Sequence, residues 1–259
     1  MHPAASCRPP MEGSMSDQSQ RDQQPVFTAD RRIIALKRRL VREATTAIAM
    51  LEKAINALWT LDVTAAGEVR REDDRVDSEE VAIEQETLEI LALHHPFARD
   101  FRALAFIIKV NGDIERSADH ACSIAKVTMR IAEHRPGQGP PKWPTSLREL
   151  GERVPVICHE LVRCVLDEDI EGARRLALAD KVIDQLDKRL FAEAIEMGTG
   201  GDANAVALSM HIARVGRELE RVGDLQVNIA EELVYLGTGQ IVRHQKLHAE
   251  APSKPPSAR

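Results

Sequence analysis

The chain has 259 residues, of which 29% are charged, and its formal net charge is -6 at pH 7. Aromatic residues make up only 3%, a composition that favours helices over sheets, and the acidic balance argues against a general nucleic-acid-binding surface. No apolar run approaches the roughly 18 residues needed to cross a bilayer, and the first thirty residues lack the apolar centre of a secretory signal. We therefore expect an all-α protein of the cytoplasm that meets membranes only through partners.

The chain contains four cysteines, Cys7, Cys122, Cys158 and Cys164. They include no C-x-x-C pair, and three of them fall in segments predicted to be helical. Close spacing is the usual sign of a cysteine zinc site. We expect reduced, partly buried thiols rather than disulfides or a zinc site.

The two chain ends are polar and enclose a long helical region. Residues 1–27 are predicted to form a disordered leader and residues 238–259 a tail. Between them, apolar residues recur at helical spacing in six segments. The predicted bounds of these helices are about 30–65, 66–93, 96–133, 146–166, 169–197 and 204–236.

Proline and glycine mark the ends of these helices. Pro96 disfavours the helical conformation in the residue before it and can itself open the next helix. Pro155 is predicted to bend or break the fourth helix. A proline-rich linker at 135–145 then divides two tandem three-helix bundles, residues 28–134 and 146–237.

A duplicated stretch relates the two bundles. Residues 110–125 and 215–230, which lie 105 positions apart, share several identical residues. Such self-similarity indicates one structural unit used twice. The repeated feature is an acidic pair at i and i+4, Glu115 with Asp119 and Glu220 with Asp224.

Such pairs are common by chance, at about six per chain of this composition, so their position matters more than their presence. The preceding helix of each half carries another acidic pair. These companion pairs are Asp73 with Asp77 in the first half and Asp180 with Asp184 in the second.

The pairs lie at matching heights if each pair of helices folds back at the predicted turn. In an antiparallel hairpin centred on Pro96, Asp77 lies level with Glu115 and Asp73 with Asp119, about 30 Å from the bend at 1.5 Å per residue. A hairpin centred on Asp202 pairs Asp184 with Glu220 and Asp180 with Asp224 in the same way. Glu80, Glu84 and Asp187 extend the acidic stripes.

Four opposed carboxylates repel one another, and a cation relieves that repulsion. Carboxylate-only sites suit Mg²⁺, Mn²⁺ or iron, and Zn²⁺ also accepts such ligands. The alternative is a pair of solvated faces in which local ion pairs neutralise the acids. The candidate partners for those ion pairs are Arg116, Arg221, Arg70, Arg71 and Lys181.

Two classes of enzyme are unsupported. A buried di-iron oxidase needs Glu-x-x-His pairs, and no histidine here has an acid three residues before it. The chain also lacks a G-x-x-x-x-G-K-[ST] phosphate loop. A metal-dependent phosphate-ester hydrolase remains as a rival hypothesis, because paired ions can clamp a phosphoryl group. An open acidic face without an evident nucleophile or general base counts against it.

The assembled motifs resemble those of the PhoU family, regulators associated with bacterial phosphate transport. The similarity covers about residues 30–244. It rests on four segments, Leu91–Arg102, Asp113–Ala121, Glu218–Glu231 and Tyr235–His244. The family's repeated E/D-x-x-x-D motif falls on Glu115 with Asp119 and on Glu220 with Asp224. Ser117 and Ala118 depart from the Ile/Val-Gly that is common there.

This resemblance implies two three-helix bundles that carry multinuclear metal clusters on acidic surfaces, with the companion pairs among the ligands. It also implies a non-enzymatic role as a negative regulator of phosphate uptake. The partners it implies are the ATPase subunit of the phosphate ABC transporter and a phosphate-sensing histidine kinase. We expect a homodimeric adaptor whose acidic faces bind metal and thereby acquire the shape and charge for docking. A plain helical scaffold with empty acidic faces is the third hypothesis.

Overall fold

A computed structural model describes residues 24–177 and 180–242. Every regular element within that part of the chain is an α-helix. The helices are α1 (Gln24–Thr60), α2 (Val63–His94), α3 (Ala98–Glu133), α4 (Thr145–Asp167), α5 (Ile170–Ala177), α6 (Asp180–Gly198) and α7 (Ala203–Thr238).

The predicted all-α class is confirmed, and the helices lie where the sequence places them. Helices α5 and α6 together span the predicted fifth helix and flank residues 178–179, which lie outside the described ranges. Of the predicted leader, residues 1–23 also lie outside them, and α1 begins at Gln24. Residues 243–259 of the predicted tail are likewise outside the described part.

The boundary between α1 and α2 differs from the prediction. Helix α1 ends at Thr60 rather than near Ala65, because Leu61 adopts a left-handed conformation (φ 55°) and Asp62 then caps α2. The Asp62 carboxylate accepts hydrogen bonds from the backbone N–H groups of Thr64 (2.9 Å) and Ala65 (3.0 Å). An aspartate at this position satisfies amides that a helix start leaves unpaired.

The two hairpin turns lie where predicted, and the predicted break in the fourth helix is absent. His95 turns the chain with φ 44° before Pro96, and α3 follows from Ala98. Asp202 caps α7 by accepting from the backbone N–H of Ala205 at 2.9 Å. Helix α4 continues through Pro155, which is buried inside it.

The two halves share one hydrophobic core. Helices α1, α2 and α3 pack together in the first half, α4, α6 and α7 in the second, and α3 packs against α7 as extensively as against α2. Lys109 on α3 contacts Glu232 on α7 at 2.9 Å, while His120 contacts Glu218 at 2.7 Å. Residue numbers therefore rise along α3 as they fall along α7, so the two helices are antiparallel.

The remaining sequence predictions concern cysteines and membranes. Cys122, Cys158 and Cys164 are buried free thiols, as expected, and burial raises the pKa of Cys158 to about 12. Cys7 lies outside the described residues. None of the helices in the described ranges combines the length and apolar character that a membrane span requires.

Candidate metal centres

The second acidic cluster is a close group of three carboxylates. Asp184 on α6 and Glu220 and Asp224 on α7 each offer one oxygen, and these oxygens lie within 4.8 Å of one another. Asp184 and Glu220 are half-buried, and Asp224 is exposed. Within the described side chains, no other group of three acidic, histidine or cysteine ligands is as close. The side chain of Asp180 is not described, so its membership of this cluster stays a prediction.

Close packing of α6 against α7 brings these oxygens together. At Gly216, an added Cβ would overlap the end of the Leu190 side chain, and at Gly223 it would lie 3.2 Å from Ile183 Cγ2. Leu190 and Ile183 are buried. Glycine at Gly216 and Gly223 thus allows the two helices to approach at the height of the cluster.

Arg217 supplies positive charge to the second cluster. Its guanidinium lies 2.9 Å from Glu220 Oε1 and 3.5 Å from Asp187 Oδ2. Burial raises the pKa of Asp187 in spite of this ion pair, with Glu220 and Asp184 adding repulsion. Arg217 was not among the predicted counter-ions, although its position three residues before Glu220 on a helix is a signal that could have identified it.

The first acidic cluster carries uncompensated negative charge. Burial raises the pKa of Glu115 to about 7, and repulsion from Asp119, Asp77, Glu80 and Asp73 adds to the rise. Burial likewise raises the pKa of Asp77, and the negative charges of Asp73, Asp119 and Asp74 raise it further. The structure therefore brings the four predicted residues into one electrostatic group, although no three of their oxygens lie as close as those of the second cluster.

The predicted counter-ions do not neutralise the first cluster. Arg116 pairs with Asp113, a buried acid two residues before Glu115. Across the described ranges, no lysine or arginine forms an ion pair with Asp73, Asp77, Glu115 or Asp119. In the second half, the charge of Arg221 acts on Glu218, beside the cluster.

Sequence reasoning missed Glu43, a buried acid on α1. Its residue is 4% exposed, and both carboxylate oxygens are buried without a hydrogen-bond partner. Burial raises the pKa of Glu43 to about 8, and the charges of Glu79, Glu80 and Glu115 add to the rise against an opposing effect of Arg39. A signal was present in the sequence, since Glu43 interrupts the apolar stripe of α1 at helical spacing between Leu40 and Ala47.

The family assignment follows from the repeated architecture. Residues 40–128 and 147–233 each match the family model described as the PhoU domain. The chain belongs to the PhoU family. Each matched segment contains one acidic cluster, so the predicted duplication and the PhoU resemblance are both confirmed.

Relatives with PhoU names align with most of the chain. A "phosphate-specific transport system accessory protein PhoU homolog" from Deinococcus radiodurans is 34% identical over 191 residues, which are 73% of this chain and 87% of the relative. The protein with that name from Aquifex aeolicus is 31% identical over 216 residues, or 82% of this chain and 93% of the relative.

Crystal structures of PhoU proteins share the fold. The phosphate transport system regulatory protein PhoU of Streptococcus pneumoniae superposes with a TM-score of 0.73 at 26% identity, covering 83% of this chain and 99% of that protein. PhoU from Pseudomonas aeruginosa gives a TM-score of 0.67 at 27% identity, with coverage of 84% and 99%.

The PhoU fold thus presents two acidic clusters of different character. The second is compact and partly neutralised by Arg217, whereas the first is more open and lacks a basic partner. Both clusters offer only carboxylate oxygens as ligands. Such oxygens suit hard divalent cations, whereas softer metal ions prefer nitrogen or sulfur ligands. The residues present therefore fit a cation, although its identity and number stay predictions.

Proposed function

We propose that the chain is a regulatory accessory protein of a phosphate transport system and that it restrains phosphate uptake and phosphate-responsive signalling. The observation that carries the proposal is the repeated PhoU domain with one acidic cluster per copy. The names of the relatives, which describe accessory and regulatory proteins of phosphate transport, support it. Those names support a role in regulation rather than catalysis.

The acidic clusters are the proposed metal sites of this regulator. Asp184, Glu220 and Asp224, with Asp180, would hold cations in the second half, and the four acids of the first cluster would do so in the first half. Magnesium, manganese, iron or zinc ions, singly or as a cluster, would supply the positive charge that permits the carboxylates to converge. The geometry of the Asp184 group, with three oxygens within 4.8 Å, supports this assignment.

The proposed mode of action is docking as an adaptor. The chain, as a homodimer in the cytoplasm, would contact the ATPase subunit of the phosphate ABC transporter and the phosphate-sensing histidine kinase. Glu115, Asp119, Glu220 and Asp224 would set the charge and shape of the docking faces, because their repulsion is strong without a cation and relieved with one. Metal occupancy would then bias the conformation that partners recognise.

A pull-down with charge-matched variants tests this proposal. Replacing those four residues by Gln and Asn should greatly weaken capture of the kinase and the ATPase subunit. The control replaces four exposed acids that lie away from the clusters, namely Glu133, Glu152, Glu160 and Glu196, and thus removes the same charge. Undiminished capture by the cluster variant would remove the metal sites from the mechanism, and equal loss in both variants would indicate an effect of net charge alone.

The rival hydrolase hypothesis predicts a different result. A phosphate-ester hydrolase would release phosphate from p-nitrophenyl phosphate when loaded with Mn²⁺ or Fe²⁺, and the cluster variant would lose that activity. We expect no turnover from the loaded wild-type protein. Turnover that depends on the clusters would replace the adaptor proposal.

A further inference from the structure

Four buried side-chain oxygen atoms in the first half lack a hydrogen-bond donor. Two are the carboxylate oxygens of Glu43, whose residue is 4% exposed, and the third is Oδ1 of Asn111, whose residue is 1% exposed. The fourth is Oδ1 of Asp73, one of the acids of the first cluster. The amide nitrogen of Asn111 donates to the backbone carbonyl of Glu80 at 2.8 Å, which fixes the orientation of the amide. Buried acceptors of this kind are uncommon, because each one loses its hydration without gaining a partner.

Glu43 on α1 and Asn111 on α3 are both linked to Glu80 on α2. Asn111 on α3 is bonded to Glu80 on α2, and the negative charges of Glu79, Glu80 and Glu115 act directly on Glu43 of α1. The guanidinium of Arg39, a basic group that acts on Glu43, is held by Glu79 at 2.8 Å and by Glu86 at 2.7 Å, and Arg42 and Arg75 line the same cavity as Glu43. Oxygen acceptors from α1, α2 and α3 therefore come together in this part of the first half, and no described group donates a hydrogen bond to Glu43.

We propose that the first half contains an interior cation site in which Glu43 and Asn111 provide oxygen ligands from the core, and Glu80 and Glu115 complete the site from the surface. The inference rests on the proposed binding of cations to the first cluster and extends that site inward to α1. Glu80 and Glu115 are only half-buried and have three side-chain torsions each, so they can turn toward Glu43.

The ligand set indicates the class of cation. It combines carboxylates with an amide carbonyl and includes no thiolate or imidazole. Such all-oxygen sets suit Mg²⁺, Mn²⁺ or Ca²⁺, whereas Zn²⁺ sites usually include nitrogen or sulfur. A cation at this place would also connect α1 to the hairpin of α2 and α3, because its ligands come from all three helices.

Helix α4, which is described along its whole length, has no equivalent of this interior acid. Ser146 and Glu149 on α4 contact Glu193 and Arg189 on α6, which places Asp184 near the height of Val154. Val154 is fully buried and apolar. The interior site is thus a property of the first half alone, and the two halves should differ in cation binding.

Equilibrium dialysis with Mn²⁺, combined with hydrogen exchange of the α1 amides, tests the inference. In the wild-type protein, Mn²⁺ should slow exchange around Glu43, and in Glu43→Gln that slowing should vanish and first-half Mn²⁺ affinity should fall at least tenfold. The control is Glu52→Gln, a less buried acid further along α1 that pairs with His159, which should behave like wild type. The second cluster should keep its Mn²⁺ in both variants.

A second variant distinguishes the loss of a cation ligand from a folding defect. Asn111→Leu removes the unpaired carbonyl but keeps a similar volume, and it should also weaken Mn²⁺ binding several-fold. Wild-type affinity and wild-type slowing of α1 exchange in both folded variants would overturn the interior site while leaving the surface clusters and the regulatory proposal intact. Failure of the wild-type protein to bind Mn²⁺ at all would overturn both the inference and the proposed metal sites.

Discussion

His120 on α3 and Glu218 on α7 approach to 2.7 Å across the boundary between the two PhoU domains. Glu218 is 7% exposed, and Arg214 is its second basic partner at 3.5 Å. Its counterpart in the duplicated stretch, Asp113, pairs locally with Arg116 instead. The repeat therefore uses Glu218 for a contact between the two domains and Asp113 for a pair within α3.

Replacement of His120 by leucine, the residue found at the equivalent Leu225, should destabilise the protein. The substitution leaves the buried Glu218 carboxylate without one of its two partners, and the expected loss is about 2 kcal/mol in the free energy of unfolding. Urea unfolding at pH 7 measures it. A double-mutant cycle with Glu218→Gln should show favourable coupling between the two side chains, and simple additivity would mean that the contact contributes nothing.

Removal of Arg217 should strengthen cation binding at the second cluster. In Arg217→Gln, Glu220 and Asp187 lose their ion pair, so a cation no longer competes with a built-in positive charge. We expect Mn²⁺ affinity at this cluster to rise about threefold to tenfold. Isothermal titration measures the change, with Arg163→Gln as the control because that exposed arginine pairs with Asp167 on α4. A fall in affinity would instead show that Arg217 positions Glu220.

Substitution of Gly216 by alanine should separate α6 from α7. Its Cβ would overlap Leu190, so we expect a loss of about 1–3 kcal/mol in the free energy of unfolding. Mn²⁺ binding at Asp184 and Glu220 should weaken as well. Gly112 on α3 is a matched control, since nothing lies within 4 Å of a Cβ added there. Gly112→Ala should stabilise the helix by about 0.5–1 kcal/mol and leave the second cluster unchanged.

The metal-free protein should lose stability as pH rises from about 5 to 8. The pKa of Glu43 is raised from 4.5 to about 8 by burial and by the charges of Glu79, Glu80 and Glu115, against Arg39. The unfolded chain thus releases this proton at lower pH than the folded protein, and deprotonation favours unfolding throughout that interval. Relative to Glu43→Gln, the loss should be on the order of 3 kcal/mol. Urea titrations of both proteins in chelator at pH 5 and pH 8 measure the difference.

Parallel pH profiles for those two proteins would contradict a shifted Glu43. Glu115, whose pKa is raised to about 7, contributes a loss in the same direction. It is present in both proteins, so the difference between the profiles reports Glu43 and its coupling to Glu115.

The heights of the acidic pairs were predictable because the rise per residue of an α-helix is constant. Once Pro96 and Asp202 were placed in turns, Asp184 was expected at the height of Glu220 along the two helices. What that calculation lacks is the rotation of each helix about its axis and the choice of ion-pair partners. Arg217 and Glu43 depend on those variables, and they are the residues that the sequence did not assign.

Local chemistry explains why the predicted end of α1 was wrong. The periodic apolar pattern continues past Thr60 into the next helix, so periodicity alone does not show the junction. The junction depends on the left-handed Leu61 and on the two hydrogen bonds that the Asp62 side chain accepts. The sequence alone does not show whether an aspartate caps a helix or lies within one.

The antiparallel contact of α3 with α7 should hold the two halves together after the linker between them is cut. Cleavage within residues 134–144, which join the two halves outside any helix, would leave two fragments that each expose an apolar seam. The first seam includes Val110 and Ile114, and the second includes Val222 and Ile229, all of them covered in the intact chain. The nicked protein should therefore stay associated, the separately expressed fragments should complement one another, and two intact chains could exchange halves through the same seam.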